Sequence, residues 1–310
     1  MRRLERGLPA FFALLAAWFA LVPASVLARE TLDCPPRVAR AVAELPAAQR
    51  KGLLWEVRSP DGAVGHLLGT IHLSSEAVTA LSPALTAALE RSRRFGMEVL
   101  FDVPTLTTLA QSMWAQDGDG LADRAEPALY ARTRELLAAY GIDAQAARAL
   151  KPWAAYTTLS LPPEQTGPPL DLKLMTIAQQ AGKPLFGLET LAEQLAIFEA
   201  LSDADQLALL RETVCHYEVQ QRELRVLVAA YARRDLGALY REALRHESAV
   251  QHRLMATLLD QRNARMAERL LPHYAEAGTF VAVGALHLPG KGGLLERLTA
   301  AGYRVRPLDP

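Results

Sequence analysis

The chain has 310 residues, with 34 lysines and arginines against 34 aspartates and glutamates, 50% hydrophobic and 6% aromatic residues. A formal net charge of +0 offers no basic face to neutralise phosphates, which excludes nucleic acid as the main partner. The length supports one sizeable core or two small ones, and the richness in alanine and leucine favours helix.

Residues 1–28 read as a cleaved signal peptide. Arg2, Arg3 and Arg6 precede an apolar run from Leu8 to Val22, and Val26-Leu27-Ala28 supplies the small residues of a cleavage site. The run is shorter than the roughly 20 residues that span a bilayer. The expectation is an exported protein, periplasmic or extracellular, with no stable membrane span after cleavage. Residues 29–49 form a polar, alanine-rich lead-in, and residues 50–310 form the functional domain.

That domain opens on two short apolar stretches, Leu53 to Arg58 and Val64 to Leu68, joined by Pro60-Asp61-Gly62. Asp-Gly between apolar runs predicts a β-hairpin. Ser82-Pro83 predicts a helix start, because the serine can cap free N–H groups and proline suits the first turn. Phe95 to Leu100 reads as a buried strand with Glu98 in its middle. From Thr105 to Leu161 the periodicity is helical, broken at Gly118-Asp119-Gly120, at Gly141 and at Lys151-Pro152. A proline-rich loop follows to Pro169, then a helix over Asp171 to Ala181 and a short strand from Leu185 to Leu188 that ends at Glu189. Ser202 and Asp205 resemble a capping box, and long helices continue to about Leu271. Thr279 to Val283 is a buried-type strand, Leu294 to Ala300 a helix, and Tyr303 to Leu308 the last strand. Strand, helix, strand predicts parallel pairing of the two C-terminal strands. The fold class is therefore α/β: a central mixed sheet built from N- and C-terminal strands, with a large helical middle region.

Two cysteines, Cys34 and Cys215, are far apart in sequence. In an oxidising compartment they are expected to pair; the alternative is two buried thiols.

One pattern occurs twice. Gly69-Thr70-Ile71-His72 follows one predicted strand, and Gly284-Ala285-Leu286-His287 follows another. Both put a histidine beyond the carboxyl end of a buried strand, the edge at which ligands bind in open α/β sheets. Two such histidines can share a divalent metal ion through neutral imidazole nitrogens. Glu98 is the natural third ligand, since a buried carboxylate needs a partner; an ion pair with an arginine is the alternative. Glu189 has the same strand-end context and could equally cap the next helix, while Arg262-Asn263 could lie on a solvated helix face. The glycine-rich stretch Gly290 to Gly293 lacks the spacing of a phosphate loop, and neither His-Glu-x-x-His nor Gly-x-Ser-x-Gly occurs. His66, His216, His246, His252 and His273 have no paired ligand spacing and read as structural.

Together these pieces resemble the TraB/GumN family, which is related to the Tiki metalloproteases. The resemblance rests on Leu68 to His72, Met97-Glu98, Gly187-Leu188-Glu189-Thr190 with Gln194, Arg262-Asn263 with Met266-Ala267, and Val283 to Gly290. It extends over roughly residues 50–308. It implies a single α/β domain with a helical insert and, from the Tiki relatives, a metal-dependent peptidase site. His72, Glu98 and His287 map onto that site directly, and Glu189 and Arg262 by carry-over. Where family members often show Gly-Val-Asp, this chain has Pro169-Leu170-Asp171, a change expected in the loop before the helix.

The expectation is a metal-dependent hydrolase acting on a peptide or protein substrate. A divalent ion would be held by His72, His287 and Glu98, Arg262 would stabilise a developing oxyanion, and Glu189 would act as general base or orient a ligand histidine. Two other readings stay open: a haem- or metal-binding carrier, and an accessory factor in envelope or polysaccharide export without chemistry of its own.

Overall fold

The computed structural model describes residues 32–309, apart from 117, 165, 166 and 247. The expected signal peptide and cleavage site lie outside the described residues. No described helix is long and apolar enough to cross a membrane.

Among the described residues six strands form one mixed sheet: β1 (Leu54–Arg58), β2 (Val64–Thr70), β3 (Arg94–Met97), β4 (Leu185–Gly187), β5 (Thr279–Gly284) and β6 (Arg304–Pro307). Their spatial order is β4-β3-β5-β2-β1-β6. The expected hairpin is present, with Leu54 opposite Leu68 and Arg58 opposite Val64. Gly62 sits at φ +90° in its turn, a conformation that favours glycine. β2, β5, β3 and β4 run parallel to one another. Burial explains their composition: every residue of β5 from Thr279 to Val283 is buried, as expected for a strand covered on both faces. The Phe95 and Phe280 rings stack across β3 and β5 with centroids 5.9 Å apart.

One expected pairing is different. β6 does not lie beside β5; it pairs antiparallel with β1, Glu56 opposite Arg306. Both flanks of β5 are already taken, by β2 and by β3. Of the two remaining edges, at β4 and at β1, β6 takes that of β1, where the Arg306 guanidinium grips both Glu56 oxygens at 3.0 Å. The helix between β5 and β6 therefore crosses over two strands.

The helical middle builds a second, smaller apolar cluster around Leu121, Leu129, Leu137, Leu150, Trp153 and Leu210. Trp153 stacks on Phe198, centroids 5.5 Å apart. Against this cluster the helix Asp203–Cys215 ends in a disulfide to Cys34, with Cα atoms 5.5 Å apart. The lead-in segment is thus tied covalently to the helical layer. Ser82 caps Pro83–Arg91 through the Leu85 N–H, and Ser202 caps Asp203–Cys215 through the Asp205 N–H, satisfying donors that a helix start leaves open.

Candidate functional site

The carboxyl ends of β2, β5 and β3 form one edge. Thr70 and Gly284 are the last residues of β2 and β5 and sit opposite each other in the parallel ladder. The two Gly-x-x-His motifs therefore leave the sheet side by side. Gly69 makes this possible: a Cβ there would lie 2.7 Å from Leu288 Cδ1 and 3.0 Å from Ala285 Cα, so only glycine lets one motif pack on the other. β3 ends at Met97, one residue short of Glu98. The carboxylate expected in mid-strand instead stands just past the strand end, at the same edge.

Three predicted residues meet there. A methyl group built on Gly284 would lie 3.3 Å from Glu98 Oε1, 3.4 Å from His287 Cδ2 and 3.9 Å from His72 Nε2. His287 Nε2 is 3.6 Å from Glu98 Oε1. Exposure differs: the His72 side chain is 57% exposed, while that of His287 is 6% exposed. One histidine faces solvent and the other seals the floor.

Each of the three has a fixed orientation. The Nδ1–H of His72 donates to Asp171 Oδ2 at 2.9 Å, and Thr70 Oγ1 donates to the other Asp171 oxygen. Asp171 is buried in the first turn of the helix Leu170–Gln180, where the free N–H groups favour a negative charge. His287 Nδ1–H donates to Asn263 Oδ1 at 2.7 Å, since an amide oxygen only accepts. Glu98 Oε1 accepts the Gly284 N–H at 2.6 Å, and Oε2 accepts from Arg262 and from Gln194. Bonding at Nδ1 leaves Nε2 of each ring for other partners: that of His72 faces the Gly284 methyl position, and that of His287 lies 3.6 Å from Glu98 Oε1.

The electrostatics follow from these contacts. The Asp171 carboxylate holds the His72 imidazole up at about 9. Burial pushes His287 down to about 4, so it is neutral at neutral pH. Burial opposes ionisation of Glu98, but His287, Arg262, His72 and the Gly284 N–H outweigh it and hold the carboxyl well below the usual carboxylate range.

Glu189 and Arg262 belong to an adjoining network. Arg262 donates to Glu189 Oε2 from Nε at 2.9 Å and from Nη2 at 2.7 Å; Arg265 donates to Glu189 Oε1 at 3.2 Å and 2.6 Å. The Glu189 side chain is fully enclosed. Both of its oxygens are committed to arginines and neither reaches a histidine, so here it orients Arg262 and not a ligand. Nor does it cap the next helix; Thr190 and Glu193 do that reciprocally. Arg262 and Asn263 are buried, not on a solvated face. They follow a π-helical segment, Thr257–Gln261, that opens directly into the helix Arg262–Tyr274. Such segments are rare and occur mostly at functional sites. On that helix Arg262, Arg265 and Arg269 share one face at i, i+3 and i+7 spacing, and Arg269 closes the row on Glu193.

Two positioning residues stood outside the expected set: Asp171 for His72 and Asn263 for His287. Asp171 had a readable signal, a carboxylate beside apolar Leu170 and Leu172 at a helix start. Asn263 enters the sequence pattern as half of Arg262-Asn263, with no sign of its partner His287.

The residue types suit a divalent metal, two imidazoles each braced at Nδ1 and one carboxylate, with His72, held up at about 9, having to release its Nε2 proton to ligate. Among the described residues no group of three or more His, Cys, Asp and Glu side chains already stands at ligand spacing. Glu98 is instead engaged by Arg262 and by the Gly284 N–H.

Two clefts open from this centre. One, of about 300 Å³, runs past Gly284, His287 and Arg262 beneath Leu227, Leu258 and Leu259. The other, of about 390 Å³, runs past Glu98, Asp171 and Gln194 toward Leu109, Trp153 and Phe198.

Comparison with known proteins adds the following. The model of the TraB/PrgY/gumN family matches residues 53–307. YbaP of Shigella flexneri, described as an uncharacterized protein, is 25% identical over 249 residues, covering 78% of this chain and 90% of that protein. YbaP of Escherichia coli (strain K12) matches with the same identity and coverage. No solved structure matches.

Proposed function

The chain belongs to the TraB/PrgY/gumN family, and from that premise we propose that it is an exported, metal-dependent hydrolase acting on peptide bonds. One observation carries this reading: His72 Nε2, Glu98 Oε1 and the His287 ring all come within 3.9 Å of the position a Gly284 methyl group would take. Glycine keeps that position empty of side chain, and the three surrounding groups come from three different strand ends.

His72, His287 and Glu98 would hold the ion. A bound divalent ion supplies an activated water and polarises a carbonyl oxygen. The neutral imidazole of His287 is ready to ligate, and its bond to Asn263 fixes the ring. Asp171 does the same for His72, whose exposed position puts it where substrate arrives. Arg262 lines the smaller cleft and is held by Glu189, so its charge is positioned for an oxyanion formed beside Glu98. Glu98 remains ionised, the state in which a carboxylate ligates a cation. The ordered carboxylates favour an enzyme over a carrier.

Metal analysis of the purified full chain tests the reading. The expected result is one divalent ion per chain, lost together with peptide hydrolysis on chelation and in the His72→Ala and His287→Ala variants. Absence of bound divalent metal after reconstitution, or a haem absorption band that needs both histidines, would overturn it.

A further inference from the structure

The two clefts share only His72 and Leu161 among their lining residues. They divide the rest of the centre: Arg262, Gly284 and His287 border one, and Glu98, Asp171 and Gln194 border the other. Away from these residues both walls are almost wholly apolar. The first is built from helices that follow Tyr217 and contributes Leu224, Leu227, Met255 and Leu258. The second comes from earlier helices and contributes Leu109, Met113, Leu195 and Phe198.

We infer that the substrate is a linear peptide with a large apolar side chain on each side of the bond held at His72. This rests on the hydrolase reading for which bond sits between the clefts. Two separate lobes meeting at the reacting groups suit a chain that enters from one side and leaves by the other. A single acyl chain puts its polar head at one end of its site, whereas here the polar residues lie between two apolar lobes. Their volumes, about 300 Å³ and 390 Å³, accommodate large side chains. Beyond the centre neither lobe lines a charged group, so a lysine or aspartate inserted there would lose its hydration without gaining a partner.

The test is binding, measured by fluorescence anisotropy on the metal-stripped full chain with short labelled peptides. Leucine, phenylalanine, serine, aspartate and lysine are exchanged at the two central positions. Leucine or phenylalanine at either position is expected to bind at least about tenfold more tightly than aspartate or lysine, a difference of about 1.4 kcal/mol. Leu258→Glu should convert the preference at one central position to lysine, and Leu109→Glu should do so at the other. Both leucines are only partly buried, and the scan with the unsubstituted chain decides the matter if either variant misfolds. Equal affinity for charged and apolar peptides would overturn the inference. So would both variants altering the same position, or a long-chain fatty acid binding with the affinity of the best peptide. If the binding pattern holds and the metal-loaded chain cleaves nothing, the inference stands and the hydrolase reading falls.

Discussion

Thr70 and Gly284, 214 positions apart, face each other at the ends of adjacent parallel strands. Each is followed within three residues by a histidine. The pairing register alone brings His72 and His287 to one edge, and β3, on the other side of β5, delivers Glu98 to the same place.

Gly284→Ala is expected to abolish or strongly weaken divalent-metal binding without removing any candidate ligand. Gly284 has φ −54°, which alanine adopts freely. The new methyl would occupy the point around which His72, Glu98 and His287 are arranged. Overpacking should cost about 1–3 kcal/mol, leaving the fold intact. Calorimetric metal titration alongside a thermal melt separates the two effects, and unchanged metal affinity would count against the site.

Each histidine should matter for stability through a buried partner. His72→Ala removes a 57% exposed side chain but leaves the buried Asp171 carboxylate without its imidazole, which should cost about 1–3 kcal/mol. His287→Ala leaves the buried Asn263 oxygen without its donor, which should cost about 1–3 kcal/mol. Both should eliminate metal binding. Asp171→Asn, which keeps the shape but weakens the grip on His72, should reduce metal affinity by about 10–100-fold, as read by competition with a metal indicator.

The two arginine–glutamate pairs on the helix Arg262–Tyr274 should separate in denaturant titrations. Glu189→Gln leaves the Arg262 charge buried with Glu98 as its remaining carboxylate, and should cost about 3–5 kcal/mol. Glu193→Gln disturbs the more exposed pair with Arg269, whose side chains are 27% and 43% exposed, and should cost no more than about 1 kcal/mol. Equal losses would mean that enclosure of Glus189 and 193 does not distinguish them.

Replacing Cys34 and Cys215 by serine should lower unfolding free energy by about 2–4 kcal/mol. The bond spans 181 residues, so it removes much freedom from the unfolded chain. Reductant should lower the melting temperature of the natural chain to that of the double variant and leave the variant unchanged.

What was readable in the chain follows a physical division. The hairpin at Pro60-Asp61-Gly62, the caps at Ser82 and Ser202, and both Gly-x-x-His motifs depend on local residue chemistry, and all were legible. The partners of those motifs were not. Asp171 reaches His72 across 99 residues and Asn263 approaches His287 across 24; no local periodicity records either contact. Glu98 was found as a buried carboxylate but placed inside its strand, because Val99 and Leu100 continue the apolar run past the end of the ladder. Glu189 was found by its strand-end position, while its commitment to Arg262 and Arg265 depends on a helix 73 and 76 residues away. β6 was recognised as a strand but assigned the wrong neighbour, since which edge stays free is settled by every other strand.

The π-helical segment Thr257–Gln261 ties the apolar wall to the charged centre. Leu258 and Leu259 in it line a cleft, and Arg262 begins at its end. Leu258 and Leu259 precede Arg262 by four and three residues, the spacings that share one helix face. Deleting Asp260 or Gln261 would shorten them to three and two, and a residue two positions away lies roughly 200° round the helix. Leu258 would stay beside the arginine and Leu259 would leave the wall. The length of the segment thus sets which leucine shares a face with the guanidinium.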